Sequence, residues 1–116
     1  MARFAVASNN WNNTATWSAT DGGAPGASVP TAADDVFLTA LSGAIVVTLT
    51  ATASCRSLNC TGFTGTLTGS FVIQIGDATA GAGNIALKLV SGMTNSAGTS
   101  YTFMSTSGTQ QTIDFS

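Results

Sequence analysis

Short segments in which apolar and polar residues alternate recur along most of this chain, at 44–50, 56–61, 70–76, 85–90, 99–105 and 111–115. Alternation sends every second side chain to the same face of an extended strand, so each segment predicts a β-strand with an inner and an outer side. Ile45, Val47 and Leu49 share a face, as do Leu58 with Cys60, Phe71 with Ile73 and Ile75, and Leu87 with Leu89. The same pattern assigns Phe103 and Ile113 to the inner side of the last two segments. The remaining positions are mostly Thr, Ser, Gln and Asn, which suit a pleated and half-buried surface. No segment carries a helical period, and the predicted class is all-β.

Glycine, serine, threonine and asparagine separate the strands, whose centres lie about 10 to 16 residues apart, close to what consecutive sides of a β-solenoid require. A single-stranded parallel β-solenoid, a right-handed β-helix, is therefore the expected architecture. Its corners must turn without bulky side chains, and 61–65 and 76–83 are composed for that. An antiparallel β-sandwich is the alternative, because short strands at intervals predict it as well. Of the tight-hairpin dipeptides Asn-Gly and Asp-Gly, however, the chain holds only Asp21-Gly22, ahead of the strand series.

Residues 1–35 have a different character from residues 36–116. They hold both tryptophans, both prolines, three of the five acids and the turn-rich run 21–27. This division predicts an N-terminal capping or attachment segment followed by solenoid rungs within one domain. Trp11 and Trp17, six residues apart, would share a face of an extended segment and cover apolar surface. Pro30 and Val36 complete the expected cap packing, above rungs whose core is Val47, Leu49, Leu58, Cys60, Ile73, Ile75, Leu87, Leu89, Phe103 and Ile113. Stacked strands expose unpaired backbone at both ends, which invites association. The tryptophan segment covers one end, whereas 111–116 reads as a strand at the other. That end is expected either to continue in a longer protein or to pack on another chain.

Charge narrows the chemistry. The 116 residues include three Lys and Arg, five Asp, no Glu and no His, for a formal net charge of −2. Arg3, Arg56 and Lys88 are too few and too scattered to neutralise a run of phosphates, which argues against nucleic-acid binding. The acidic balance argues against anionic membranes, and no apolar run reaches the length of a membrane span. The apolar stretch at 4–7 is too short for a secretion signal, so release by cell lysis is the expected route to an extracellular location. An extended chain places the Cα atoms of Cys55 and Cys60 roughly 16 Å apart, beyond disulfide reach, so both are expected as small buried thiols.

Without His, the common nucleophilic triads cannot form, and a Cys/His zinc site lacks ligands. Asp34 and Asp35 point to opposite faces if extended. Carboxylate hydrolysis would then need a distant pair such as Asp77 with Asp114. Asp21, Asp34 and Asp35 are better accounted for as turn caps than as calcium ligands. The sequence thus predicts no catalytic residue, no metal and no cofactor. Trp11, Trp17 and Tyr101 would stack on sugar rings only if they were exposed.

The stretch 11–18 (WNNTATWS), followed by Gly22-Gly23-Ala24 and by 27–36 (ASVPTAADDV), resembles the start of β-helical proteins encoded by bacteriophages and environmental viruses. Residues 53–67 are similar to the first solenoid coil that follows this segment in that group. A shorter form of the pattern also opens cell-surface β-helical domains. The resemblance implies a non-enzymatic structural component of a virion surface: a tail fibre, a tailspike-like protein or a capsid decoration protein. Its implied partners are copies of itself, as a trimer in a fibre, other virion proteins and a possible glycan receptor. A carbohydrate-binding adhesin module is the alternative function.

Overall fold

The computed structural model describes residues 1–95 and 99–115. Ser116, the last residue of the run 111–116, lies outside them. Among the described residues the chain forms thirteen strands and three single-turn 3-10 helices, with no α-helix. The first strands are β1 (Ala2–Ala5), β2 (Asn9–Asn10), β3 (Trp17–Ser18), β4 (Asp35–Phe37), β5 (Val46–Thr48) and β6 (Ala53–Cys55). They are followed by β7 (Ser57–Asn59), β8 (Thr66–Thr68), β9 (Val72–Ile75), β10 (Ile85–Lys88), β11 (Thr94–Asn95), β12 (Ser100–Phe103) and β13 (Thr112–Asp114).

These strands build three sheets, in the orders β13-β10-β7-β4-β1-β3, β11-β8-β5-β2 and β12-β9-β6. From β4 onward the chain visits the three sheets in rotation, and each strand except β6, which opens the third sheet, pairs with the strand three places earlier. Among the described residues every ladder is parallel except β1 with β3. Parallel pairing overturns the antiparallel sandwich, in which neighbouring strands would be joined by hairpins. The interval from strand to strand varies: Ala2 pairs with Asp35, Asp35 with Ser57, and Leu58 with Leu87. The connections absorb most of that variation, because the ladders keep their register apart from one shift between Ile85 and Leu87 in the pairing of β10 with β13.

Register stacks like positions into columns. Val36, Leu58, Leu87 and Ile113 follow one another across the first sheet. Val47 lies beside Leu67 in the second, and Cys55, Ile75 and Phe103 form a column in the third. Val36, Val47, Leu49, Leu58, Cys60, Leu67, Ile73, Ile75 and Leu87 are buried in one core. Each such aliphatic side chain contributes about 1.5–3 kcal/mol by leaving water. Leu89 is half-buried against this core. Phe103 and Ile113 depart from their expected core placement, at 43% and 47% exposed. Among the described residues they lie on the outermost strands of their sheets. Phe71, 41% exposed, sits at the corner before β9 rather than on its inner face.

Residues 1–35 do more than cover the end, since β1 is itself a member of the first sheet. Backbone ladders also run past the strand ends: Trp11 N–H donates to Thr48 O, Leu49 N–H to Thr68 O, and Cys60 N–H to Lys88 O, each at 2.8 Å.

Gly76 shows how a corner is made. It follows β9 with φ +121°, and a Cβ there would stand 2.5 Å from Ser105 N in the next layer. Both the left-handed backbone and the close approach demand glycine. Gly76→Ala is expected to cost about 2 kcal/mol or more in urea unfolding. Gly108→Ala, at a position with open space around it, should cost a few tenths of that at most, and equal effects would contradict this account.

Candidate functional site

Two polar constellations stand out, and each joins segments far apart in sequence. The first is centred on Asp35, at the start of β4. Its Oδ1 accepts from Ser57 Oγ (2.7 Å), Arg56 Nε (3.1 Å) and the Ala82 backbone N–H (3.2 Å), and its Oδ2 accepts from Arg56 Nη2 (2.7 Å). Arg56 is the single residue between β6 and β7, so a tight corner aims its guanidinium at the carboxylate in a bidentate pair. Burial works against the Asp35 charge. The Arg56 guanidinium, the Ser57 hydroxyl and the Ala82 amide outweigh it and hold the carboxyl below its ordinary 3.8.

The second constellation is the tryptophan segment. Trp11 and Trp17 are both buried and meet edge to face, with ring centroids 4.9 Å apart. Trp17 Nε1 donates to Trp11 O at 2.7 Å, and Thr16 Oγ1 donates to Asn10 O at 2.6 Å. β3 pairs antiparallel with β1, and Gly26 and Ala27 each donate a backbone N–H to Trp17 O. Arg3 fastens the returning loop, with Nε donating to Ser28 O (2.9 Å) and Nη2 to Ser28 Oγ (2.6 Å). Pro30 and Val36 are buried below. The indole N–H of Trp11 is buried with no hydrogen-bond partner.

The other acidic groups and Lys88 are engaged in turns or in ties between segments. Asp34 Oδ2 accepts from the Thr31 N–H and Oγ1, Asp21 Oδ1 from Thr39 Oγ1, and Asp77 Oδ1 from the Thr79 N–H. Lys88 Nζ pairs with Asp114 Oδ2 at 3.2 Å. Asp77 and Asp114, the pair that carboxylate hydrolysis would need, thus serve different parts of the scaffold, Asp77 a turn and Asp114 the tie to Lys88. Cys55 and Cys60 are free and buried, and desolvation pushes both thiols up, Cys60 to about 12. Such thiols stay protonated and unreactive. Tyr101 is half-buried, its phenol pushed up to about 12 by desolvation, and its Oη accepts from Asn95 Nδ2. Neither tryptophan face is open to a sugar ring. Among the described residues there is no pocket and no group of three potential metal ligands.

Sequence reasoning marked the tryptophans but missed the Asp35, Arg56 and Ser57 cluster and the Arg3 clamp. A signal was present: in a chain with three cations, Arg3 interrupts an apolar run and Arg56 interrupts a strand-like one. Comparison with protein-family models, curated proteins and solved structures found no match.

Two outcomes follow from this geometry. Asp35→Ala should lose about 3 kcal/mol, since it leaves Arg56 without its buried partner. Because the folded-state pKa of Asp35 lies below the unfolded one, its contribution is complete above the ordinary 3.8 and disappears as pH falls through the folded value. The stability gap between wild type and Asp35→Asn should therefore close in acid, and a gap constant with pH would refute the assignment. For the tryptophans, Trp17→Phe strands the Trp11 carbonyl, whereas Trp11→Phe removes an unpartnered donor. Trp17→Phe should be the more destabilising by about 1 kcal/mol in denaturant unfolding, and the reverse order would contradict this picture.

Proposed function

We propose that this chain is a non-enzymatic structural module of a virion surface, of the tail-fibre, tailspike-like or capsid-decoration kind. In this reading the three sheets, parallel except where β3 joins β1, form a single-stranded β-solenoid. Its hand is right, the hand that parallel crossover connections take. Residues 1–35 close one end, and the protein acts by assembling with copies of itself and with other virion proteins.

One observation carries the reading: the charged side chains are spent on holding segments of backbone together. Arg3 ties the loop at Ser28, Asp35 and Arg56 tie successive strands of the first sheet, and Lys88 ties β10 to β13 through Asp114. Asp34 and Asp77 satisfy turn donors, and Asp21 ties its loop to the Thr39 hydroxyl. A chain that commits its few ionisable groups to scaffold is built for shape. The resemblance of 11–36 to the opening of viral β-helical proteins gives that shape its setting. The adhesin alternative draws no support from Trp11 and Trp17, whose rings are in the core.

An antibody raised against the chain should label intact, purified particles of the virus that encodes it. Retention of all the protein in the particle-free fraction after lysis would overturn the reading.

A further inference from the structure

The outward face of the second sheet, β11-β8-β5-β2, is an ordered array that the scaffold does not use. Val47, Leu49 and Leu67 point into the core, so alternation turns Val46, Thr48 and Thr50 outward on one layer and Thr66 and Thr68 on the next. Register aligns them. Val46 stands beside Thr66 and Thr66 beside Thr94, while Thr48 has Thr68 on one side and Asn10 on the other. Val46 and the five threonines are all β-branched, so each is stiff about χ1 and holds its terminal groups in place. Neighbouring strands set a repeat of about 4.8 Å from layer to layer, and alternate residues set one of about 6.7 Å along each strand.

Two further observations set this face apart. The first is charge. No Asp, Glu, Lys or Arg occurs between Arg3 and Asp21, between Asp35 and Arg56, between Arg56 and Asp77 or between Lys88 and Asp114, so every strand of the second sheet and the chain on either side of it is uncharged. The second is hydrogen bonding. The hydroxyl of Thr16 donates to Asn10 O, that of Thr39 to Asp21, that of Thr61 to Asn59 and that of Thr99 to Gly69 O. Among the described residues, the hydroxyls of Thr48, Thr50, Thr66, Thr68 and Thr94 bond to no other residue.

We propose that this face binds the surface of ice. Its two repeats are close to the spacings of oxygen atoms on the prism face of hexagonal ice, so rows of hydroxyls can enter the outer layer of the lattice while the methyl groups between them fill its hollows. Charge complementarity selects this occupant. An ice surface is neutral and presents donors and acceptors in alternation, which a hydroxyl matches because it is both at once. A charged side chain would instead hold a hydration shell of its own. A second protein fits less well, since it would strip five hydroxyls of water and have to answer each with a hydrogen bond. Ice, being water, answers them without stripping. The parallel ladders, which keep one register across β5, β8 and β11, hold the rows in place. The inference rests on the outward face of the second sheet and not on the virion assignment, so particle labelling and the following test can fail separately.

A seed crystal of ice held in a solution of the purified 116-residue chain should stop growing over an interval below its melting point and take a faceted shape. Thr66→Lys combined with Thr68→Lys should abolish the interval and the facets, while the circular dichroism spectrum and unfolding midpoint stay near wild type. Should that double variant unfold, Val46→Lys, at a 42% exposed position on the margin of the array, should still narrow the interval. Thr102→Lys, beside the exposed Gln74 on the outward face of the third sheet, should leave both effects unchanged. Rounded, freely growing crystals with the wild-type chain, undiminished activity in the Thr66, Thr68 and Val46 variants, or an equal loss from Thr102→Lys would each overturn the inference.

Discussion

The carboxylate of Asp35 joins three successive layers of the stack. It sits on β4, accepts from Arg56 and Ser57 at the start of β7, and accepts from the Ala82 amide just ahead of β10. Parallel strands that recur at unequal intervals cannot set their register through turn geometry, as hairpins do. Something other than loop length must fix which residue of one layer faces which residue of the next. A buried acid with four donors from two later layers does this, because slipping β7 by one residue would remove the Ser57 hydroxyl and turn Leu58 away from the core. The Asp35 contacts thus match one register of β7 on β4, the one in which Asp35 faces Ser57.

With register fixed, the apolar columns follow. Val36, Leu58 and Leu87 stack because Asp35 aligns with Ser57, one position before Val36 and Leu58 in the same ladder. Corners then carry the irregularity. Between β6 and β7 the corner is Arg56 alone, whereas between β9 and β10 it spans 76–84 and includes a 3-10 turn. Gly76 starts that longer corner, where the strand of one layer passes too close to Ser105 of the next for any side chain. The outer surface tolerates such variation because few outward positions carry a defined contact. Phe4 stacked on Phe37, with ring centroids 5.0 Å apart, is an exception near the covered end.

Much of the strand content was legible because alternation survives wherever β-branched and aliphatic residues supply it. The segments at 44–50, 70–76 and 85–90 contain β5, β9 and β10. The strands β2, β6, β8 and β11 were not legible, being two or three residues long and built from Ala, Ser, Thr, Asn, Cys and a single Leu. Stacking makes them strands, since the ladder to a neighbouring layer, on both sides for β8 and on one side for β2, β6 and β11, holds them extended whatever their own preference. β1 was hidden for another reason: Arg3 stands beside Val36 in its ladder, and a cation at a core position breaks the pattern. The Asp35 cluster could not be read at all, because the interval from Asp35 to Ser57 has meaning only once the pairing is known.

Phe103 and Ile113 show where pattern reasoning runs out in a layered protein. An inward position is buried by its own layer and by the layers on both sides, so the same alternation yields a core residue in the middle of a stack and a surface residue at its edge. Stability in such an array is close to a sum of layer terms and contacts between neighbouring layers, and the terminal layers each lack one neighbour. At the first end the missing neighbour is replaced by local means: two tryptophans, an antiparallel strand and a guanidinium tied to Ser28. That replacement leaves the Trp11 indole N–H buried without a partner, a cost of about 1–3 kcal/mol. The core tolerates that cost because the alternative is an open layer of apolar side chains and unpaired edge backbone.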